Sequence, residues 1–268
     1  MFWIRLRSGI LLVIIALLTI LPGGYVLWAT SLSVSMIGLG ELYRAAGVLS
    51  EKDNGLAVTG FAAAFAYYLL LISGFESYST ICLVFALIAI LAVYVFTFPK
   101  FRSEQVMAAF FGIIYVNVML SYIYLTRNLT DGKFIVWLIF LCSWGCDTCA
   151  YCVGVLIGKH KMSPILSPKK SVEGAVGGVL GAALLGALYA VGVGNHLEAE
   201  NPVAIYAVIC AAGALISMVG DLAASAIKRN HNIKDYGTLI PGHGGILDRF
   251  DSVIFTAPVI YFLACALI

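Results

Sequence analysis

The sequence predicts an all-α integral membrane protein, a polytopic helical bundle with about nine transmembrane helices. Hydrophobic residues make up 62% of the 268 positions and charged residues only 11%, whereas a soluble domain carries about 25% charged residues. Apolar runs of about 20 residues, the length that a helix needs to cross a ~30 Å hydrocarbon core, follow one another along the chain. These runs, such as Ile10 to Leu21, do not alternate between apolar and polar residues as the strands of a transmembrane barrel do.

The apolar runs and the polar breaks between them place the spans. We predict helices near residues 8–21, 24–43, 56–73, 79–98, 105–126, 134–158, 174–194, 202–222 and 252–268. The first run is taken as a retained span rather than a signal peptide, because apolar residues resume after Pro22 and no small-residue cleavage site precedes them. By function we divide the chain into residues 1–130, with the first five spans, and residues 131–268, the catalytic membrane region with the other four.

The basic residues lie almost entirely on one side of these spans. With a cytoplasmic N-terminus, all lysines and arginines except Arg127 and Lys133 fall in cytoplasmic segments, Arg5 and Lys52 included. The outer loops are acidic or neutral around Glu76, Asp131, Glu198 and Glu200. The positive-inside rule therefore predicts a multi-pass protein of the plasma (inner) membrane, with its N-terminus inside and its C-terminus outside. A net charge of +2 offers no broad basic field, so we expect no nucleic-acid partner.

Two long cytoplasmic loops, residues 159–173 and 223–251, hold most of the remaining polar groups, and chemistry is expected on that face. Asp147 lies well inside the sixth span, where a carboxylate costs roughly a few kcal/mol. We predict that it lines a protein cavity and meets a cation or a metal, with Tyr151 one turn further on the same face. A structural ion pair is the alternative.

The first of these loops ends in the sequence Ser167-Pro-Lys-Lys-Ser-Val-Glu-Gly174. Ser171 is placed to cap the seventh helix, and the free N–H groups of that helix together with Lys169 and Lys170 suit a phosphate. A positive-inside anchor is the alternative, but it leaves Glu173 and the small residues around the lysines unexplained. The glycines of the seventh span indicate close helix packing rather than catalysis.

The densest polar cluster joins the eighth span to the ninth. Its members on one face of the eighth helix are Ser217, Asp221, Ser225 and Lys228. Carboxylates at Asp221, Asp248 and Asp251 are the ligands that Mg²⁺ takes together with substrate phosphates, so we predict a magnesium site here and leave open a second cation. Between them, the glycines from Pro241 to Gly245 let backbone N–H groups approach an anion. The alternative is that these charged residues only face solvent, but that role would not require the glycine-rich turn.

His243 and the cysteines have plainer explanations. We expect His243 to be a turn residue bonded to backbone; the second choice is a donor to phosphate and the third is a general base.

Cys142, Cys146, Cys149 and Cys152 share one helical face. Iron–sulfur ligands can have similar spacing, but such ligand runs loop around their cluster, so we predict that these cysteines pack between helices.

Over its C-terminal half the chain resembles the CDP-diacylglycerol synthase family, also called phosphatidate cytidylyltransferase. The family pattern is Ser-x-apolar-Lys-Arg, four residues, Lys-Asp, then apolar-Pro-x-His-Gly-Gly-apolar-x-Asp-Arg-apolar-Asp, and every fixed position is met from Ser225 to Asp251. The stretches from Asp147 to Tyr151 and from Ser167 to Gly174 also resemble the family, in the same order. The first five spans match only in hydropathy.

The resemblance implies that a phosphatidate oxygen attacks the α-phosphorus of CTP, with Mg²⁺ required, to form CDP-diacylglycerol and pyrophosphate. It implies catalytic roles for Asp221, Asp248, Asp251, Lys169 and Asp147, the first three as metal ligands. The residues it implies for substrate binding are Lys169, Lys170, Ser171, Glu173, Ser225, Lys228, Arg229, Lys234, Asp235, His243, Gly244, Gly245 and Arg249. The expected partners are CTP, phosphatidic acid and membrane lipid, and a glycine-rich bundle is also compatible with a homodimer.

Other functions remain open at this point. A CTP-dependent lipid-alcohol kinase, or a cytidylyltransferase for another phospholipid, would use similar groups, although a kinase leaves CDP rather than pyrophosphate. A cation transporter would also need intramembrane carboxylates. Against a transporter, the polar residues gather at one face of the membrane, and no paired broken helices are predicted.

Overall fold

Helices make up most of the described structure. The computed structural model describes residues 2–50, 53–197 and 200–268, so Lys52 and Glu198, used above for the orientation, lie outside the described residues. Within these ranges the apolar helices are Phe2–Ile20 (α1), Gly24–Ala45 (α2), Gly55–Ile72 (α3), Ser79–Thr97 (α4), Ser103–Arg127 (α5), Gly132–Ile157 (α6), Val172–Val193 (α7), Pro202–Asn230 (α8) and Leu247–Leu267 (α9). Two short antiparallel strands, Lys161–Ser163 (β1) and Ser167–Ser171 (β2), join α6 to α7.

Eight of the described helices, α2 to α9, are long and apolar enough to cross a membrane. The described apolar part of α1, Arg7–Ile20, is shorter. The prediction of a polytopic helical membrane protein is confirmed.

The ends of two helices differ from the prediction in the C-terminal half. Helix α8 continues to Asn230 instead of ending near residue 222, because the alanine-rich stretch that follows favours helix. Helix α9 begins at Leu247 instead of residue 252, with Asp248 in its first turn, where a negative charge stabilises a helix. The predicted loop 223–251 is therefore reduced to residues 231–246, and most of its charged residues lie on helices.

By its packing the chain forms two compact units. The first consists of Met1–Ser121 and His231–Arg249, and the second of Tyr122–Asn230 and Phe250–Ile268. Helices α5 and α9 each contribute residues to both units. The division by function at residue 130 stays a prediction.

In the first unit, helix α2 is held against α5 by a buried tyrosine. The hydroxyl of Tyr43 donates to the carbonyl oxygen of Ala109 over 2.6 Å. Gly112 makes this approach feasible, since a Cβ there would lie 2.7 Å from the ring of Tyr43 and 2.8 Å from Leu39. The position of α2 matters because this helix carries Glu41.

In the second unit, glycines of α7 face cysteines of α6. A Cβ on Gly178 would lie 2.9 Å from Sγ of Cys146, and a Cβ on Gly181 would lie 2.5 Å from Cβ of Cys149. The predicted packing role of these glycines and cysteines is confirmed. Cys152, at the end of the row, is exposed and does not pack in this way.

Candidate active site

The segment between α6 and α7 forms a hairpin that ends in a helix cap. Ser171 is extended (φ −114°, ψ 156°), and its Oγ accepts a hydrogen bond from the N–H of Gly174 over 3.1 Å. Gly158 leaves room for the capping side chain, because a Cβ there would lie 2.5 Å from Oγ of Ser171. The predicted cap of the seventh span is confirmed.

Glu173, in the first turn of α7, closes the loop that leaves α6. Its carboxylate accepts hydrogen bonds from the N–H groups of Lys159 (3.0 Å) and His160 (3.2 Å) and lies 2.5 Å from Nδ1 of His160. These bonds hold the hairpin to the helix that follows it. A contact between Glu173 and a substrate stays a prediction.

An ion pair joins the hairpin to α8. Nζ of Lys170 donates to Oδ2 of Asp221, and the two side chains are 26% and 24% exposed. Fifty-one positions separate the two residues, so the structure brings together two predicted site residues from different motifs. Lys169, by contrast, is exposed.

Asp147 lies on an exposed side of α6, one turn before Tyr151, which is 73% exposed. The neighbouring Cys146 lies within electrostatic range of both Asp147 and Lys170. Charged side chains inside a membrane almost always face a water-filled cavity or a partner rather than lipid. We therefore expect this side of α6 to border an aqueous cleft in the second unit.

Gly220 brings α8 directly against α9. A Cβ at this position would lie 3.0 Å from the carbonyl oxygen of Asp251 and 2.9 Å from the ring of Phe255. Asp221 and Asp251 are thus carried by helices whose backbones are nearly in contact. Asp251 is 9% exposed, and its Oδ1 accepts the N–H of Ser252 over 2.8 Å.

The other polar residues predicted on the face of α8 differ in exposure. Ser217 is fully buried, and its Oγ has no hydrogen-bond partner in the part of the chain that the structure describes. Ser217 therefore belongs to the helix packing rather than to an open site. Ser225 and Lys228 are partly exposed. Arg229, Lys234 and Asp235 are exposed.

In the first unit, Asp248 holds the glycine-rich turn that precedes α9. Its side chain is 4% exposed, and its Oδ2 accepts the N–H groups of Tyr236 (2.8 Å) and Gly245 (2.9 Å). Within the turn, the N–H of Ile240 donates to the carbonyl oxygen of Gly244 over 2.8 Å. Gly244 has a φ of +84°, and a Cβ there would lie 2.8 Å from Oδ2 of Asp248, so both backbone conformation and space require glycine.

Glu41 of α2 is a site residue that the sequence interpretation misses. It is 1% exposed, and it accepts the N–H of Ile246 at Oε1 (3.0 Å) and the N–H of Leu247 at Oε2 (2.8 Å). Both donors are at the start of α9, where N–H groups have no partner within the helix. A signal was present, because a glutamate in an apolar span is as costly as Asp147.

His243 belongs to the turn through its backbone and contacts α1 through its side chain. Its N–H donates to the carbonyl oxygen of Ile240 over 2.9 Å, which confirms the turn role. Its Nδ1 lies 2.7 Å from Oγ of Ser8, and that hydroxyl also donates to the carbonyl oxygen of Pro241 over 3.2 Å. Ser8 is a second residue that the sequence interpretation misses, because a single serine in an apolar helix gives no signal.

The carboxylates suit a magnesium–phosphate complex better than a tightly held resident ion. Among residues 2–50, 53–197 and 200–268, no three His, Cys, Asp or Glu side chains group closely enough to hold an ion by themselves. Mg²⁺ is commonly bound by one or two carboxylates, with water and substrate phosphates supplying the other oxygens. Asp221 and Asp251 fit this description, since their helices are in close contact. The metal-ligand roles of these two residues and of Asp248 stay predictions.

Comparisons with known proteins agree over the whole chain. The model of the cytidylyltransferase family matches residues 3–267. A phosphatidate cytidylyltransferase of Bacillus subtilis is 31% identical over 97% of this chain and 96% of that protein. Proteins of the same name from Staphylococcus saprophyticus and Staphylococcus aureus are 30% identical and cover 97% of this chain and 98% of their own length. The similarity thus includes the first five spans, whereas the motifs alone covered only the C-terminal half.

Proposed function

The chain belongs to the cytidylyltransferase family, and on that premise we propose that it is a phosphatidate cytidylyltransferase of phospholipid synthesis. In this reaction a phosphate oxygen of phosphatidate forms a bond to the α-phosphorus of CTP. The bond from that phosphorus to the β,γ-diphosphate breaks, so the products are CDP-diacylglycerol and pyrophosphate. The observation that supports the proposal is the ion pair between Lys170 and Asp221, in which an ammonium group of a kind that suits phosphate lies beside a carboxylate in a membrane helix bundle.

The reaction joins two polyanions, so negative charge has to be compensated where they meet. Lys170 supplies a positive charge for this purpose, and Asp221 balances it in the free protein. When a substrate phosphate arrives, Lys170 exchanges Asp221 for phosphate oxygens, and the carboxylate becomes available to a cation. Mg²⁺ held by Asp221 and Asp251 of the second unit would neutralise the triphosphate and the leaving pyrophosphate, and a ligand role for Asp248 stays a prediction.

The remaining predicted residues divide into phosphate binding and support. Lys169, Lys228 and Arg229 are exposed or partly exposed cations that suit phosphate oxygens. The N–H groups at the start of α7, beside the Ser171 cap, suit the same charge. Asp147 lines the aqueous side of α6, where its charge keeps the cleft hydrated.

The substrates also set where the site must lie. Phosphatidate presents its phosphate at the membrane surface, while its acyl chains stay in the hydrocarbon region, so the protein has to open sideways toward lipid. CTP is a cytoplasmic nucleotide, and the positive-inside distribution of basic residues favours a cytoplasmic site with the N-terminus on the same side.

The test is a product assay with the purified protein in detergent micelles that contain phosphatidate. We expect release of pyrophosphate that depends on CTP and Mg²⁺, and a lipid product with the mass of CDP-diacylglycerol. Lys170→Met should lower the rate about 10²-fold, as loss of one charge-stabilising group typically does. Lys100→Met is the matched control, because Lys100 is 58% exposed and pairs with Asp53 away from these motifs.

Two other outcomes would replace the proposal. CDP together with a phosphorylated lipid would indicate a lipid-alcohol kinase. Cation flux into liposomes without CTP would indicate a transporter.

A further inference from the structure

We propose that Glu41, far from the C-terminal motifs in sequence, is a positioning residue for cytidylyl transfer. It fixes the backbone at the start of α9 and thereby sets the place of Asp248. This inference rests on the proposed function for its catalytic consequence, although the positioning itself can be measured without turnover.

Three successive N–H groups at the start of α9 are bound by two carboxylates. Asp248 accepts the first, from Gly245, and Glu41 accepts the next two, from Ile246 and Leu247. Glu41 also packs directly on the turn, since a Cβ on Gly245 would lie 2.5 Å from Cδ of Glu41. Asp248 can therefore keep its place only while the backbone just before it is held by Glu41.

Glu41 is itself held rigidly. It lies 205 positions from Ile246 in sequence, so its two bonds connect α2 with the start of α9 within the first unit. Tyr43, two positions after Glu41, anchors α2 through its bond to Ala109. The carboxylate is 1% exposed, which leaves little freedom for the side chain to turn away.

The charge of Glu41 also favours a role beyond holding the backbone. A neutral serine or asparagine can accept N–H groups at a helix start, whereas a buried carboxylate is costly unless its charge is used or well compensated. Glu41 lies within electrostatic range of Asp248. Two neighbouring carboxylates repel each other, and a cation bound at Asp248 would relieve that repulsion.

The experiment compares Glu41→Gln with wild type in the full chain in phosphatidate-containing micelles. Glutamine has the same size, but its amide nitrogen cannot accept one of the two N–H groups, and the charge is lost. We expect kcat to fall about 10- to 100-fold and the Mg²⁺ concentration for half-maximal rate to rise. The KM for phosphatidate should stay within about twofold.

Amide hydrogen exchange supplies a readout that does not need turnover. Exchange should become faster in peptides that cover residues 236–247 and stay unchanged in peptides from α3. Glu104→Gln is the matched control, because this glutamate lies in the same unit, is exposed and pairs with Arg102. That variant should keep the rate and the exchange pattern of wild type.

The outcomes are distinguishable from failure of the proposed function. If wild type releases no pyrophosphate, the proposed reaction is wrong. The comparison of amide hydrogen exchange between Glu41→Gln and wild type would still decide whether Glu41 positions the turn. The inference is overturned if Glu41→Gln keeps more than half of the wild-type kcat, or if exchange rises evenly through the first unit. Should Glu41→Gln not fold, Glu41→Asp keeps the charge on a side chain one methylene shorter, and normal exchange at residues 236–247 in that variant would refute the inference.

Discussion

Asp248 holds the turn before α9 through hydrogen bonds and is also a predicted metal ligand. Substitutions at this position can separate these two contributions. Its Oδ2 accepts two N–H groups at 2.8 and 2.9 Å while the residue is 4% exposed. Hydrogen bonds to a charged group contribute about 1.5–3 kcal/mol each and those to a neutral group about 0.5–1.5 kcal/mol. Asp248→Asn keeps a carbonyl oxygen for both donors, so it should lower the free energy of unfolding by about 1–3 kcal/mol. Asp248→Ala leaves both N–H groups without an acceptor and should lower it by about 3–6 kcal/mol.

The activity of the Asp248 variants should not simply follow their stability. A neutral amide is a poor ligand for Mg²⁺, so Asp248→Asn should stay folded and lose about 10²-fold or more in kcat, equivalent to ~2.7 kcal/mol of transition-state stabilisation. The assays are pyrophosphate release at saturating CTP and denaturant unfolding in the same detergent. Asp53→Asn is the control, since Asp53 is 40% exposed and its pair with Lys100 contributes less than about 1 kcal/mol. Near-normal turnover of Asp248→Asn would exclude a metal-ligand role, and equal instability of the Asn and Ala variants would refute the hydrogen-bond assignment.

Two further changes test local contacts. Ser171→Ala should lower the free energy of unfolding by about 1 kcal/mol, because the cap to Gly174 is lost, whereas Ser171→Thr should stay within ~0.5 kcal/mol of wild type; equal unfolding curves for all three proteins would contradict the cap. Ser8→Ala removes the hydroxyl from His243 and should raise the KM for CTP about two- to tenfold, as loss of one hydrogen bond does. A fall in kcat of more than 100-fold would instead indicate that His243 takes part in the chemistry.

The membrane fold could be predicted because hydropathy is a property of local sequence. Long apolar runs dictate helices wherever the backbone must satisfy its own hydrogen bonds in lipid. The helix ends were harder, because residues that leave the hydrocarbon region can continue a helix in water. Helix α8 does so as far as Asn230, carrying Lys228 and Arg229 beyond the predicted end.

Parts of the candidate site could also be predicted, because the residues that interact there are close together in sequence. The Ser171 cap depends on a residue three positions away, so the sequence predicts it. The contact between Lys170 and Asp221 could be anticipated only as a grouping of motifs on one face of the membrane, because no local pattern pairs residues 51 positions apart. The bonds of Glu41 and Ser8 span more than 200 positions, and their partners are backbone groups or a single histidine. Such partners leave no pattern in one sequence.

The charged groups of the candidate site fall into two kinds according to their partners. Glu41 and Asp248 are compensated by backbone N–H groups, which cannot be given up without unfolding the turn before α9. Lys170 and Asp221 compensate each other with flexible side chains that are about one quarter exposed. An uncompensated charge within a membrane protein is costly. A polyanionic substrate therefore binds best to a cationic side chain that can leave its present partner at a small cost in free energy. The pair of Lys170 and Asp221 meets that requirement, because the exchange of partners that we propose for it would need only these two flexible side chains of the second unit to move.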